Sequence, residues 1–83
     1  MFAVLYELLR KDVKKMINGL GEREPGNIHP LLVQQIEKYL IEMVLEETVN
    51  NFVHTSRILG ISRSTLYRKI DLLGIEVRPP LKY

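Results

Sequence analysis

The chain has 83 residues, 46% of them hydrophobic, with a formal net charge of +2 and no cysteine. That length holds one domain and buries only a modest share of its surface alone, so a partner copy would help it. The missing thiols exclude a disulfide framework and a thiolate metal site, the start lacks the basic n-region of a signal peptide, and no apolar run reaches a membrane span; the chain reads as cytoplasmic and as a complete folding unit.

The net charge hides an asymmetry. Residues 1–24 balance to +1, residues 25–49 to −3, and residues 50–83 to +4. Positive charge therefore gathers in the last third, where a polyanion would be expected to bind.

Taken in chain order, the first element is a helix over about residues 2–18. Leu5, Leu9, Val13, Met16 and Leu20 recur at spacings of four, four, three and four, a narrow apolar stripe with Arg10, Lys11, Lys14 and Lys15 off it. Gly19 and Gly21 end it, and "GLGEREPGN" reads as a loop because it offers glycine, proline and charge without an apolar period.

The second helix opens with Pro30 in its first turn and closes at Asn50 and Asn51. Leu31, Leu32, Val33, Ile36, Tyr39, Leu40, Ile41, Met43, Val44 and Leu45 cover more of it than one core-facing stripe requires. A helix apolar on most sides must be buried on most sides, and one copy of this chain has too little else to cover it. The surplus predicts a twofold interface.

Two short helices follow. Asn51 caps the third, Val53, Ile58 and Leu59 give it an apolar side, and Gly60 stands where the chain must turn. Ser62 caps the fourth, Leu66, Ile70 and Leu73 anchor it at spacings of four and three, and Gly74 ends it. Pro79-Pro80 prevents any later helix from continuing. Two short helices joined by about three residues that include a glycine have the form of a helix-turn-helix. The fold class is therefore all-α, four helices per subunit, with 2–49 as dimerisation helices, 51–75 as the helix-turn-helix and 76–83 as a tail.

At about 100° per residue the anchor of the fourth helix turns Ser64, Arg68 and Asp71 outward and leaves Thr65 and Tyr67 on the flanks. Arg63 lies nearer the rim, but it stands at the N-terminal end, which is foremost when such a helix enters a major groove. Arginine pairs bidentately with guanine O6 and N7, so Arg63 and then Arg68 are the candidates for base readout, with Ser64 beside them on the outward face. Ser62, Thr65, Tyr67 and Lys69 offer hydroxyls and an ammonium that suit phosphate contacts, which fix register without reading sequence. Tyr67 serves equally as an aromatic covering the turn.

The segment "NNFVHTSRILGISRSTLYRKIDLLGI", with "LLVQQIEKYLIEMVLEET" before it, resembles the Fis-type helix-turn-helix that also forms the C-terminal domain of NtrC-family activators of the enhancer-dependent sigma factor. Asn51, Leu59, Gly60, Ile61, Arg63, Thr65, Leu66, Lys69, Ile70, Gly74 and Ile75 fall on the family pattern. The resemblance implies a homodimer bound to double-stranded DNA at a dyad-symmetric site. Its first two helices would form a four-helix bundle with the partner's, through Leu5, Leu9, Val13 and Met16 of the first and Ile36, Leu40, Met43 and Val44 of the second. It also implies Asn51 among the phosphate-contacting residues and needs no cofactor or metal.

Fis itself carries a β-hairpin arm ahead of its first helix, whereas here the helical period begins within a few residues of Met1, so the NtrC-type module is the nearer likeness. The ATPase and receiver domains of such a regulator would lie on other sequence, since no GxxxxGK[ST] loop occurs here. Three departures from the pattern are expected to act locally. Asn50 replaces a glycine, Thr55-Ser56 an alanine pair, and Phe52 and Val53 polar residues near the phosphates.

Other functions fit less well. His29 and His54 lie in different elements, so neither a catalytic triad nor a closed metal shell is in view. The rival to a DNA reader is a dimeric helical module whose basic last third binds an acidic protein or RNA.

Overall fold

The computed structural model describes residues 1–21 and 25–77, and among them it is all-helical: α1 (Ala3–Asn18), α2 (Ile28–Glu47), α3 (Phe52–Leu59) and α4 (Arg63–Leu73). The expected loop residues 22–24 and the tail residues Arg78, Pro79, Pro80 and Lys82 lie outside the described residues. The chain divides into two compact units, residues 1–32 and 33–83.

In the first unit α1 has no buried residue. Leu9, Val13, Met16 and Leu20 of its expected stripe are half-buried, while Leu5, Val4, Tyr6, Leu8 and Ile17 are exposed. The helix ends at Gly19 with a right-handed φ of −81°. This glycine ends the helix through its weak helix propensity, with no left-handed turn involved.

The second unit is built on the rest of α2. Ile41 and Leu45 are buried with Leu66 and Ile75, and Phe52, Leu59, Ile61, Ile70, Leu73 and Val77 pack against that cluster. Leu66, fully buried, is the central residue of the fourth-helix anchor. The face of α3 that joins the core differs from the expected one. Phe52 and Leu59 pack inward with Thr55 and Ser56 buried between them, whereas Val53 and Ile58 are exposed. Buried hydroxyls are tolerated because each is bonded: the Thr55 and Thr48 hydroxyls share a 2.7 Å hydrogen bond, and Ser56 Oγ donates to the Val53 carbonyl at 2.9 Å. Of the two, Thr55 adds a polar link between the end of α2 and α3, and Ser56 is satisfied within α3.

α2 stops at Glu47, three residues before Asn50 and short of the expected end. The reason lies in its last backbone bonds. Asn50 N–H reaches back to the Leu45 carbonyl at 2.8 Å, and Val49 and Asn50 both take left-handed backbone, with φ of 53° and 61°. The same reversal closes α3, where Ile61 N–H bonds to Ser56 O with Gly60 at φ 75°, and α4, where Ile75 N–H bonds to Ile70 O with Gly74 at φ 66°. This is the Schellman arrangement, whose left-handed position favours glycine. In α2 that position falls on Val49, a β-branched residue for which left-handed backbone is an outlier.

Val49 is 65% exposed, so little packing would be lost by replacing it. Left-handed backbone costs an L-residue about 1–2 kcal/mol, and glycine gives back roughly half of that as chain entropy. Val49→Gly is therefore expected to stabilise the chain by about 0.5–1 kcal/mol, seen as a higher midpoint in denaturant unfolding at fixed chain concentration. A lower midpoint would show that the Val49 side chain holds the turn.

Candidate nucleic-acid interface

The candidate interface is built on two capped helices. Asn51 stands in extended backbone ahead of α3 and its side chain accepts from His54 N–H at 3.0 Å. Ser62 does the same for α4, its Oγ accepting from Thr65 N–H at 3.1 Å while donating to Thr65 Oγ1 at 2.9 Å. Each cap satisfies a donor that the first turn of a helix leaves open, so α4 begins at Arg63 rather than fraying. Ser64 Oγ lies 3.2 Å from Ser62 Oγ, and the three hydroxyls of Ser62, Ser64 and Thr65 form one cluster at the start of α4.

α3 packs against α4. Phe52 meets Tyr67 edge to face, with ring centroids 5.3 Å apart and planes at 80°. Tyr67 thus packs against the start of α3 and remains half-exposed. Phe52, which stands where a polar residue was expected to touch phosphate, is turned toward the core instead.

Arg63, Ser64 and Arg68 are all exposed, and neither arginine forms an ion pair among the described residues. The outward face of α4 continues through Asp71 to Leu72, which is 76% exposed. Leu72 has no place in the Leu66, Ile70 and Leu73 anchor, and that same spacing marks it as an outward apolar residue, a signal present in the sequence and overlooked there.

Lys69 is differently placed. Its Nζ donates to Glu37 Oε2 of α2 at 2.9 Å, with side chains 31% and 36% exposed. Nothing in the local pattern of either helix announces Glu37 as its partner. The ammonium expected to lie free for phosphate is held by a carboxylate 32 residues away.

Of the residues expected at a dimer interface, Leu5, Ile36, Leu40 and Met43 are exposed, and Leu9, Val13, Met16 and Val44 are half-buried. On α2, Ile36, Leu40 and Met43 lie opposite Ile41 and Leu45 at about 100° per residue. One helix thus carries two apolar faces, of which the second unit's own core uses one. Among the described residues no helix is long and apolar enough to cross a membrane, and no group of three or more His, Cys, Asp or Glu is placed to hold a metal ion.

Residues 32–73, which span the end of the first turn of α2 through α4, match the family of bacterial regulatory proteins named for Fis. The chain belongs to the Fis family. It is 32% identical over 66 residues to the DNA-binding protein Fis of Buchnera aphidicola subsp. Acyrthosiphon pisum (strain 5A), an alignment covering 80% of this chain and 67% of that protein. It is 28% identical over 71 residues to the DNA-binding protein Fis of Glaesserella parasuis, covering 86% and 72% respectively. A Fis-like DNA-binding protein of Ralstonia nicotianae is 31% identical over 67 residues, with 81% and 87% covered. No solved structure matches the chain. As a Fis-family member it is a regulator and not an enzyme. These relatives are Fis and Fis-like proteins, so they add nothing to the narrower likeness to NtrC-type C-terminal domains.

The Ser62 cap can be tested apart from any ligand. Ser62→Ala is expected to lower stability by about 1 kcal/mol, and Ser62→Asp to retain it, because aspartate caps as well and suits the positive end of the helix. Denaturant midpoints for the three chains measure this. An unchanged Ser62→Ala would mean that α4 does not depend on the cap.

Proposed function

We propose that this Fis-family chain binds double-stranded DNA sequence-specifically as a homodimer, placing two α4 helices in successive major grooves at a dyad-symmetric site. The observation that carries this is the state of Arg63 and Arg68, exposed and without ion pairs among the described residues, on a helix whose N-terminus is capped. A guanidinium kept unpaired at such a place is matched to guanine O6 and N7, and the relatives' names as DNA-binding proteins support the same reading. Ser64 joins the base-facing set, and Leu72 offers methyl groups to a thymine on the same face.

Phosphate contacts fall to the start of the two capped helices. The Ser62 and Thr65 hydroxyls surround the positive end of α4, Asn51 stands at the start of α3, and Tyr67 presents its half-exposed ring edge and hydroxyl. Lys69 completes that set only where its bond to Glu37 leaves an ammonium proton for phosphate.

The homodimer rests on the spare face of α2. Met43 is 57% exposed, with Ile36 and Leu40 beside it, and a continuous apolar face of this kind calls for a cover. A second copy supplies one through the same residues, with the stripe of α1 that includes Leu5, Leu9, Val13 and Met16 completing the bundle. Residues 2–49 would then hold the dimer and 51–75 reach the DNA, with half-sites about 34–36 Å apart.

The narrower setting, an enhancer-binding module of an NtrC-type activator with ATPase and receiver domains on a longer chain, rests on the motif from Leu59 to Gly74. A freestanding Fis-type regulator would use the same site with the same chemistry. Either acts on chromosomal DNA, which places the chain in the bacterial cytoplasm.

Selection of bound duplexes from a random pool, at stated salt, tests the reading. A dyad-symmetric site should be enriched, and Arg63→Ala should cost about 1–3 kcal/mol on it while leaving random duplex nearly unaffected. Equal losses on both duplexes would sink the readout, and absence of any enriched site would favour a module that binds an acidic protein or RNA. Sedimentation at micromolar chain should show a dimer that Met43→Lys converts to monomer; a monomeric parent chain would contradict the interface.

A further inference from the structure

The manner in which α4 is attached to α2 points to a residue that sets specificity without touching a base. α3 packs closely against α4, whereas α4 meets α2 through side chains at longer backbone range. One meeting point is the apolar cluster, where Ile41 and Leu45 of α2 are buried with Leu66 of α4 and Ile70 packs alongside. Apolar burial is non-directional, so the cluster fixes where the helices touch without fixing the angle between them. The other meeting point is the Glu37–Lys69 hydrogen-bonded ion pair at 2.9 Å. Glu37 lies one turn before Ile41 on the same face of α2, and Lys69 lies beside Ile70. Among the described residues it is the only ion pair. α3, bonded to the end of α2 through Thr48–Thr55 and packed against α4, holds α4 from one side, and the Glu37–Lys69 pair is the directional contact that α4 itself makes with α2.

We propose that the Glu37–Lys69 pair is a positioning tether that sets the angle of α4 on α2 and thereby the half-site spacing the dimer accepts. The inference rests on the dimeric DNA-reading function above. With α2 as the dimer helix and α4 as the reading helix, any tilt of α4 about the apolar cluster displaces Arg63, some 9 Å up the helix from Lys69 at about 1.5 Å per residue. The twofold axis doubles the displacement between the two Arg63 side chains. A carboxylate that restrains the tilt therefore discriminates between spacers of different length while leaving each half-site's own sequence preference unaltered.

The experiment uses duplexes that carry two fixed half-sites, the centre lengthened or shortened by one base pair at a time. They are bound by the parent chain, by Glu37→Gln, by Lys69→Met, and by the charge-swapped pair Glu37→Lys with Lys69→Glu, with thermal melts confirming that each variant folds. The parent should show one sharp optimum. Both single variants should flatten it, raising the neighbouring spacings about two- to fivefold relative to the optimum, as expected for a partly exposed pair. Base preference within a half-site should not move, and the charge swap should restore the sharpness. Should Lys69 also touch phosphate, the swap would bind less tightly at every spacing with its sharp optimum retained, which still supports the tether. Single variants as sharp as the parent, or a swap as flat as the singles, would overturn the tether alone. A parent chain with no spacing optimum would overturn the dimeric reading and the tether with it.

Discussion

The burial of Ile41 and Leu45 of α2 with Leu66 of α4 is the contact on which the rest depends. α3 has 8 residues and α4 has 11, lengths at which an isolated helix is marginal in water. Neither would persist without an apolar wall to lean on, and α2 supplies it. The caps at Asn51 and Ser62 decide where the short helices begin, but the wall decides that they exist. Because that wall occupies one side of α2, the other side, with Ile36, Leu40 and Met43, is left exposed. A single 20-residue helix thus serves the core and the expected assembly at once.

Charge on this chain is sorted by how each group is held rather than by sign alone. Among the described residues Arg63 and Arg68 form no ion pair on the outer and leading parts of α4, while Lys69, one residue from Arg68, is fastened to Glu37. A guanidinium fork suits base edges, whereas an ammonium is a compact point charge that a single carboxylate can hold. Neighbouring cations in one helix are held differently through their positions around its axis.

Much of this was legible in the amino-acid order, and the exceptions have definite causes. Four helices, the caps at Asn51 and Ser62, and the left-handed glycines at 60 and 74 follow from local chemistry, which needs no knowledge of the fold. The end of α2 was misplaced because its left-handed residue is Val49, a residue type that normally argues against such a turn. The inward face of α3 was misassigned because Thr55 and Ser56 are buried, and only the Thr48 hydroxyl and the Val53 carbonyl make that acceptable. The Glu37–Lys69 pair was invisible, since no periodicity links residues 32 apart. In each case the missing information was a specific partner, either a backbone carbonyl or a side chain from another helix.

The three matching reversals at the ends of α2, α3 and α4 bear on how fast this unit forms. Each is closed by a bond from one residue to the carbonyl five positions before it, so each turn assembles without waiting for distant chain. The contacts that remain, from α2 to α4, close loops of about 20–35 residues, for which the entropic cost grows only slowly with length. Helical chains dominated by such short-range contacts fold in microseconds to milliseconds. A unit of this kind re-forms almost as soon as it is disrupted, so transient opening of the helix-turn-helix would shorten its working time very little.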